Sequence, residues 1–158
     1  MRQNQRQFIV IFLALAVLLE AETFKNVEYL YKPEGKDKGQ QVEGKLNFNI
    51  PAKKITFESK RIPTAFGSHD PISLELAVDA ITDVVYERTS KPRYAAGLLL
   101  AWPLLFTKEK KHFLTVQYKD GEGIGRYAIF HLDKGNVLEI LAATEAFTGK
   151  KVERSEER

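Results

Sequence analysis

The chain has 158 residues, of which 44% are hydrophobic, and this is enough for one domain with its own core. Its formal net charge of +3 is small and argues against nucleic-acid binding, because nucleic-acid-binding proteins concentrate far more basic charge on one face. It contains no cysteine, which excludes disulfides, thiol catalysis, thiolate metal sites and lipid attachment at a processed cysteine.

The N-terminal segment, residues 1–21, has the three-part pattern of a signal peptide. Arg2 and Arg6 give it a positive start, Phe8 to Leu19 form an unbroken apolar run, and Ala21 offers a small residue for cleavage. A helix of twelve residues rises about 18 Å, which is shorter than the roughly 30 Å hydrocarbon core of a bilayer. We therefore expect export to the periplasm or the exterior. An uncleaved N-terminal anchor and a buried first helix are the alternatives.

The first half of the remaining chain is predicted to form strands. Val27–Tyr31 is short, aromatic and β-prone, and apolar and polar residues alternate almost perfectly from Val42 to Ile50. Pro51 and its neighbours predict a turn that connects this strand to a partner strand, which includes Ile55 and Phe57. The prolines and the glycine within residues 60–71 predict a loop.

The second half continues with four more predicted strands. Residues 72–78 alternate, a further strand is expected over residues 81–87, and Asp79-Ala80 between them predicts a bend. Residues 113–119 alternate again, Asp120-Gly121 is a strong hairpin signal, and the return strand is expected over residues 125–132.

A C-terminal helix is predicted from Asp133, as its N-cap, to Thr148, with Gly149 as the residue after its end. The charged residues 150–158 are expected to fray, with 153–158 as a tail outside the domain. The predicted core is drawn from the apolar faces of these elements and includes Leu46, Phe48, Phe57, Val84, Leu114, Val116, Ile129 and Leu141.

The order of these elements, six or seven strands and then one amphipathic helix, resembles the pleckstrin-homology (PH) superfold. Two parts of the chain resemble the bacterial and GRAM-type members of this superfold. The first is A-V-D-A-I-T-D-V-V-Y-E (77–87). The second, within 112–150, is H-F-L-T-V-Q-Y-K-D-G followed by Y-A-I-F-H-L-D-K-G-N-V-L-E-I-L-A-A-T-E-A-F-T-G-K. The block Y-E-R, K-P-R, W-P-L-L-F and K-K-H also resembles exported bacterial proteins of unknown function.

The resemblance covers about residues 25–152 and implies one mostly β domain over residues 22–152. The implied fold is a bent antiparallel sheet or barrel with a C-terminal helix that covers one open end. A lipocalin-like or other small antiparallel barrel is the alternative. The resemblance implies a binding module rather than an enzyme, and it transfers no ligand residues to this chain.

Catalytic motifs are weak. The three histidines, His69, His112 and His131, lie on separate elements without the spacing of a zinc-binding pair. Three successive residues such as Ser68-His69-Asp70 cannot point at one another as a catalytic triad does. The glycines of residues 121–125 precede a strand, whereas a phosphate loop precedes a helix. We expect no catalytic, cofactor or metal site.

The strongest functional candidate is the apolar insert, residues 94–106, between two basic clusters. Such a segment suits an interface with anionic lipid, where apolar residues enter the headgroup boundary and cations meet the lipid charge. An envelope protein is the other partner considered, and a scaffold domain that buries the insert as core is the alternative function. The predicted binding residues are Arg93, Tyr94, Leu98, Leu99, Leu100, Trp102, Leu104, Leu105, Phe106, Lys108, Lys110 and Lys111.

Overall fold

The computed structural model describes residues 21–33, 39–60, 62–64, 67–95 and 109–156. Successive strands make up most of the chain, and one helix follows near the C-terminus. The elements are β1 (Glu22–Tyr31), β2 (Gln40–Asn49), β3 (Lys54–Ser59), β4 (Ile62–Thr64), β5 (Gly67–His69), β6 (Ser73–Ala77), a 3-10 helix (Val78–Ala80), β7 (Ile81–Thr89), β8 (Lys111–Lys119), β9 (Gly125–Leu132), α1 (Val137–Thr148) and β10 (Glu153–Glu156).

Eight strands form one sheet in the order β10-β7-β8-β9-β1-β2-β3-β6. Every neighbouring pair is antiparallel except β10 and β7, which are parallel. Strands β6 and β10 are its two edges, so the sheet is not closed. This is a PH-like arrangement, a mostly β fold with one C-terminal helix, and it confirms the predicted fold class.

The alternating segment at β2 shows why this sequence forms a sheet. Its apolar positions are buried on one face, and Leu46 and Phe48 pair with Phe57 and Ile55 of β3. Gly44 lies on the same face, where the ring of Phe57 occupies the space that a side chain would need. The hydrophobic face of this hairpin therefore forms one wall of the main core.

Helix α1 covers the main core through one face. Its buried residues are Val137, Ile140, Leu141 and Thr144, and it ends at Gly149, whose φ of 67° is a left-handed conformation that glycine adopts without strain. Seven of the eight predicted core residues lie in this main cluster. Ile129 is also buried, but it belongs to a second cluster.

The boundaries that differ from the sequence-based expectation include the start of the helix and the limits of the predicted loop. The helix begins at Val137 rather than near Asp133, because the carboxylate of Asp133 accepts a hydrogen bond from the Gly135 N–H and forms a turn before the helix. Residues 60–71 are not entirely a loop, since the three-residue strands β4 and β5 pair within them.

The predicted fraying of the C-terminal end is wrong for residues 153–156. These residues form β10, in parallel register with residues 85–88 of β7. Val152, immediately before β10, is buried in the main core, and its N–H donates to the Glu145 carboxylate at 2.9 Å. One apolar residue among the charges therefore anchors the tail.

Candidate binding surface at the ends of the insert

Three strands carry a second apolar cluster on the face of the sheet opposite the main core, which we call the outer face. Leu30 of β1, Phe113 of β8 and Ile129 of β9 are 2%, 0% and 0% exposed and pack with Ala95 and Tyr94. The sheet is thus apolar on both sides here. The first residues of the insert lie against this cluster.

Tyr94 is held on the outer face by an aromatic partner. Its ring stacks on that of Tyr127 of β9, with 4.9 Å between the ring centroids and 25° between the planes. Tyr127 is 43% exposed although it lies in the middle of the sheet. The pair therefore presents a partly exposed aromatic surface where the chain enters the insert.

Arg93 forms ion pairs with two carboxylates. Its Nε donates to Glu87 at 2.7 Å, its backbone N–H donates to the same carboxylate at 3.0 Å, and its guanidinium also reaches Glu153 at 3.2 Å. The hydrogen bond to Glu87 raises the pKa of Arg93 above its ordinary value, and the bond to Glu153 adds to this. Two carboxylates thus offset the charge that Arg93 could offer to an anionic surface.

A hydrogen bond between a histidine and a carboxylate crosses the outer face between β1 and β9. Nδ1 of His131 lies 2.6 Å from a carboxylate oxygen of Glu28, and the imidazole packs against Phe113 with 5.5 Å between ring centroids. The hydrogen bond from His131 lowers the pKa of Glu28, burial opposes this shift, and the charges of His131 and Lys111 support it.

The insert leaves and rejoins the sheet at one place, because Thr89 at the end of β7 pairs with Lys111 at the start of β8. Lys110 is exposed and Lys111 is half-buried at this point. The structure therefore brings Arg93, Lys110 and Lys111 to the same end of the β7–β8 pair. The Tyr94 ring lies further along the sheet, on Tyr127, which is opposite Gln117 of β8. The remaining predicted binding residues lie outside the described residues: Leu98, Leu99, Leu100, Trp102, Leu104, Leu105, Phe106 and Lys108.

The remaining histidines have separate surroundings. His112 Nδ1 lies 2.7 Å from the Tyr86 hydroxyl, and the two rings stack at 6.0 Å. His69 is the last residue of β5. Within the described ranges, no three histidine or carboxylate side chains come together as a metal site would require, and no helix there is long and apolar enough to cross a membrane.

Sequence reasoning missed Glu28, His131 and Tyr127 as members of this surface. These residues occupy outward-facing positions of β1 and β9, and strict alternation of apolar and polar residues assigns such positions to solvent. The available clue was β8, where Phe113 and Leu114 are adjacent apolar residues that point to opposite faces. A strand that is apolar on both sides requires a cover on each face.

No family model matches the chain, and no curated protein sequence matches it. Solved structures that are similar to it in fold include the following two. One is the hSac2 domain from the human phosphoinositide phosphatase Sac2, at 9% identity and a TM-score of 0.52, covering 99% of this chain and 90% of that one. The other is the Spt16D Pob3N heterodimer, at 10% identity and a TM-score of 0.50, covering 88% of this chain. This chain matches 56% of the length of the Spt16D Pob3N chain.

Proposed function

We propose that this chain is a non-enzymatic binding module of the cell envelope that associates peripherally with an anionic lipid surface through the insert and its basic flanks. The observation that carries the proposal is the Tyr94–Tyr127 stack, a partly exposed aromatic pair where the insert leaves the sheet. Tyrosine rings favour membrane interfaces. Lys110 and Lys111 lie where the insert returns, so an aromatic pair lies at the first end of the apolar segment and two lysines lie at the second.

Export is part of the proposal and is supported by the pattern of residues 1–21. An exported domain without cysteines depends on its own core for stability, and the main and second clusters supply that core. The bacterial, GRAM-type relationship is likewise a proposal, which the segments 77–87 and 112–150 support. Mass spectrometry of the protein from its native envelope should find a chain that starts near Glu22, whereas an intact Met1 would indicate a retained anchor.

The second candidate function is a scaffold domain in which the insert completes the core. The burial of Leu30, Phe113 and Ile129 on the outer face favours it, because Tyr94 and Ala95 pack there instead of projecting from the sheet. The two candidates differ in what the rest of the insert contacts, lipid in the first and the sheet in the second.

Co-sedimentation with vesicles tests the lipid proposal. Each cation near an anionic surface contributes about 1 kcal/mol at low salt. Replacing Lys108, Lys110 and Lys111 with Gln should therefore abolish most binding to vesicles that contain phosphatidylglycerol. The matched control replaces Lys45, Lys119 and Lys151 with Gln, which makes the same change in net charge on exposed residues outside the basic flanks of the insert.

The control variant should bind almost as wild type, and added salt should weaken wild-type binding. Equal binding by the two variants would contradict a role for the basic flanks. Wild-type protein that binds no vesicles but is retained by an envelope protein would assign the surface to a protein partner instead.

A further inference from the structure

An open groove of about 920 Å³ lies beside α1 and shares no residue with the outer face. Its walls come from the start of β1, the end of β2 and the turn after it, the 3-10 helix and α1. Apolar side chains dominate this lining, with Phe48, Ile50, Val78 and Phe147 the largest. Ligand pockets typically have volumes of about 300–1,000 Å³ and a mostly apolar lining with a few polar groups. The groove has both properties.

The shape of the groove suits a narrow apolar chain. Phe48 and Phe147 pack edge to face at 5.6 Å between ring centroids. Ala143 and Ala146 of α1 also line the groove, and their short side chains leave space along the helix. Ile50 is 36% exposed, which costs free energy unless an apolar ligand covers it.

Two opposite charges line the groove as well, Glu22 and Lys53. Both are exposed, and neither forms an ion pair within the part of the chain that the structure describes. The backbone of Lys53 is fixed on both sides, since its N–H donates to Ile50 O at 3.1 Å and its carbonyl accepts from the Val78 N–H at 3.0 Å. This anchors one cation beside the apolar walls.

We infer that the groove binds the acyl chain of a single-chain zwitterionic phospholipid, such as lysophosphatidylethanolamine. The acyl chain lies along Phe48 and Phe147, the lipid phosphate meets Lys53, and the ammonium meets Glu22. A fatty acid offers a carboxylate to Lys53 but nothing to Glu22, and an alkyl maltoside offers neither charge. The charge pair therefore selects the zwitterion among amphiphiles of equal chain length.

The test uses the full chain of 158 residues, purified and delipidated, in which Ala21 and Glu22 remain joined by a peptide bond as in the structure. It is titrated with a fourteen-carbon lysophosphatidylethanolamine below its micelle concentration. Ala146→Trp fills the groove and should weaken binding at least tenfold. Ala142→Trp is the matched control, since Ala142 is also exposed on α1, one turn earlier, and does not line the groove. Equal affinities of these two variants would overturn the inference, and circular dichroism verifies that both are folded.

A second set of variants tests the head group. Lys53→Glu should weaken binding about tenfold or more, because an anion replaces the cation that meets the lipid phosphate. Adding Glu22→Lys to that variant should recover most of the affinity, since the two charges are exchanged. Myristic acid that binds wild type as tightly as the lysophospholipid would overturn the inference. The Lys108, Lys110 and Lys111 variant should bind the lysophospholipid normally, so failure of the vesicle proposal and failure of this one are distinguishable.

Discussion

The carboxylate of Glu28 lies 2.6 Å from Nδ1 of His131, and this pair joins β1 to β9 on the outer face. Both side chains are mostly buried, with 30% and 22% of their surfaces exposed. The pair lies next to Phe113, which underlies the start of the insert. It therefore links the stability of the sheet to the surface that carries the proposed function.

This pair predicts a loss of stability in acid. The pKa of Glu28 is lowered below its ordinary value of 4.5 by the hydrogen bond from His131. The contribution of ionised Glu28 to the free energy of unfolding is complete above the pKa that Glu28 has in the unfolded chain. It disappears as the pH falls through the lower pKa that Glu28 has in the folded domain. Glu28→Gln should cost about 1.5 kcal/mol at pH 6 and much less at pH 3. Urea unfolding across this range measures the effect, and an equal cost at both pH values would contradict it.

The Arg93–Glu87 pair predicts a larger effect. Glu87 is 4% exposed and accepts two hydrogen bonds from Arg93. Arg93→Gln removes the positive charge that faces this carboxylate, so a buried negative charge loses its cationic partner. Because the Arg93 side chain is half exposed, we expect a cost of about 1–3 kcal/mol, less than for a fully buried pair. Lys54→Gln, which breaks an exposed pair with Glu75, should cost under about 1 kcal/mol. Equal costs in chemical denaturation would show that Arg93 is not structural.

Gly44 is a position where a side chain cannot be accommodated. A Cβ there would lie 2.6 Å from Cζ of Phe57 and closer still to the carbonyl oxygen of Glu58. Gly44→Ala should therefore destabilise the domain by about 1–3 kcal/mol through overpacking. Gly121→Ala is the control, since a Cβ at Gly121 has no atom within 4 Å. Similar melting temperatures for the two variants would contradict the close approach of β2 and Phe57.

Periodicity predicted the main sheet because local patterning and burial agree there. Residues 42–50 alternate in sequence and in burial, and the hairpin signal Asp120-Gly121 lies between β8 and β9 as expected. The bend expected at Asp79-Ala80 is part of the 3-10 helix. In each of these places, neighbours in sequence determine the structure.

Contacts between distant residues explain the features that the sequence did not predict. Val152 is one apolar residue among charges, and its burial depends on a space between α1 and β7 that no local pattern reveals. The Glu28–His131 pair joins residues 103 apart in sequence. The groove beside α1 likewise combines residues from β1, β2, the 3-10 helix and α1. The predicted insert residues 98–108 lie outside the described residues, so their role stays a prediction.

The anchored tail gives a fourth prediction. Val152 is 2% exposed, so Val152→Ala should cost about 1–3 kcal/mol, mainly through lost apolar burial. Lys151→Ala, at an exposed neighbouring position, should change stability by less than about 0.5 kcal/mol. Amide exchange of residues 153–156 should also accelerate in Val152→Ala, because β10 loses its anchor. Unprotected amides there in the wild type would contradict the pairing with β7.

The insert itself gives the prediction that separates the two functions. If Leu99, Trp102 and Leu105 contact lipid, replacing all three with Ser should abolish association with anionic vesicles and leave the free energy of unfolding within about 0.5 kcal/mol of wild type. If they complete the core over the outer face, the same change should remove several kcal/mol, since each large buried side chain contributes about 1.5–3 kcal/mol.

Leu138→Ser is the control for this triple variant, because Leu138 is 75% exposed on α1 and does not belong to the insert. It should change neither stability nor vesicle binding. Two measurements on the same samples decide between the functions, chemical denaturation and co-sedimentation with and without phosphatidylglycerol. A stable triple variant that still binds vesicles would exclude the insert as the binding surface. A destabilised triple variant, together with a wild type that binds no vesicles, would assign the segment to the core, because its apolar residues would then stabilise the fold without contacting lipid.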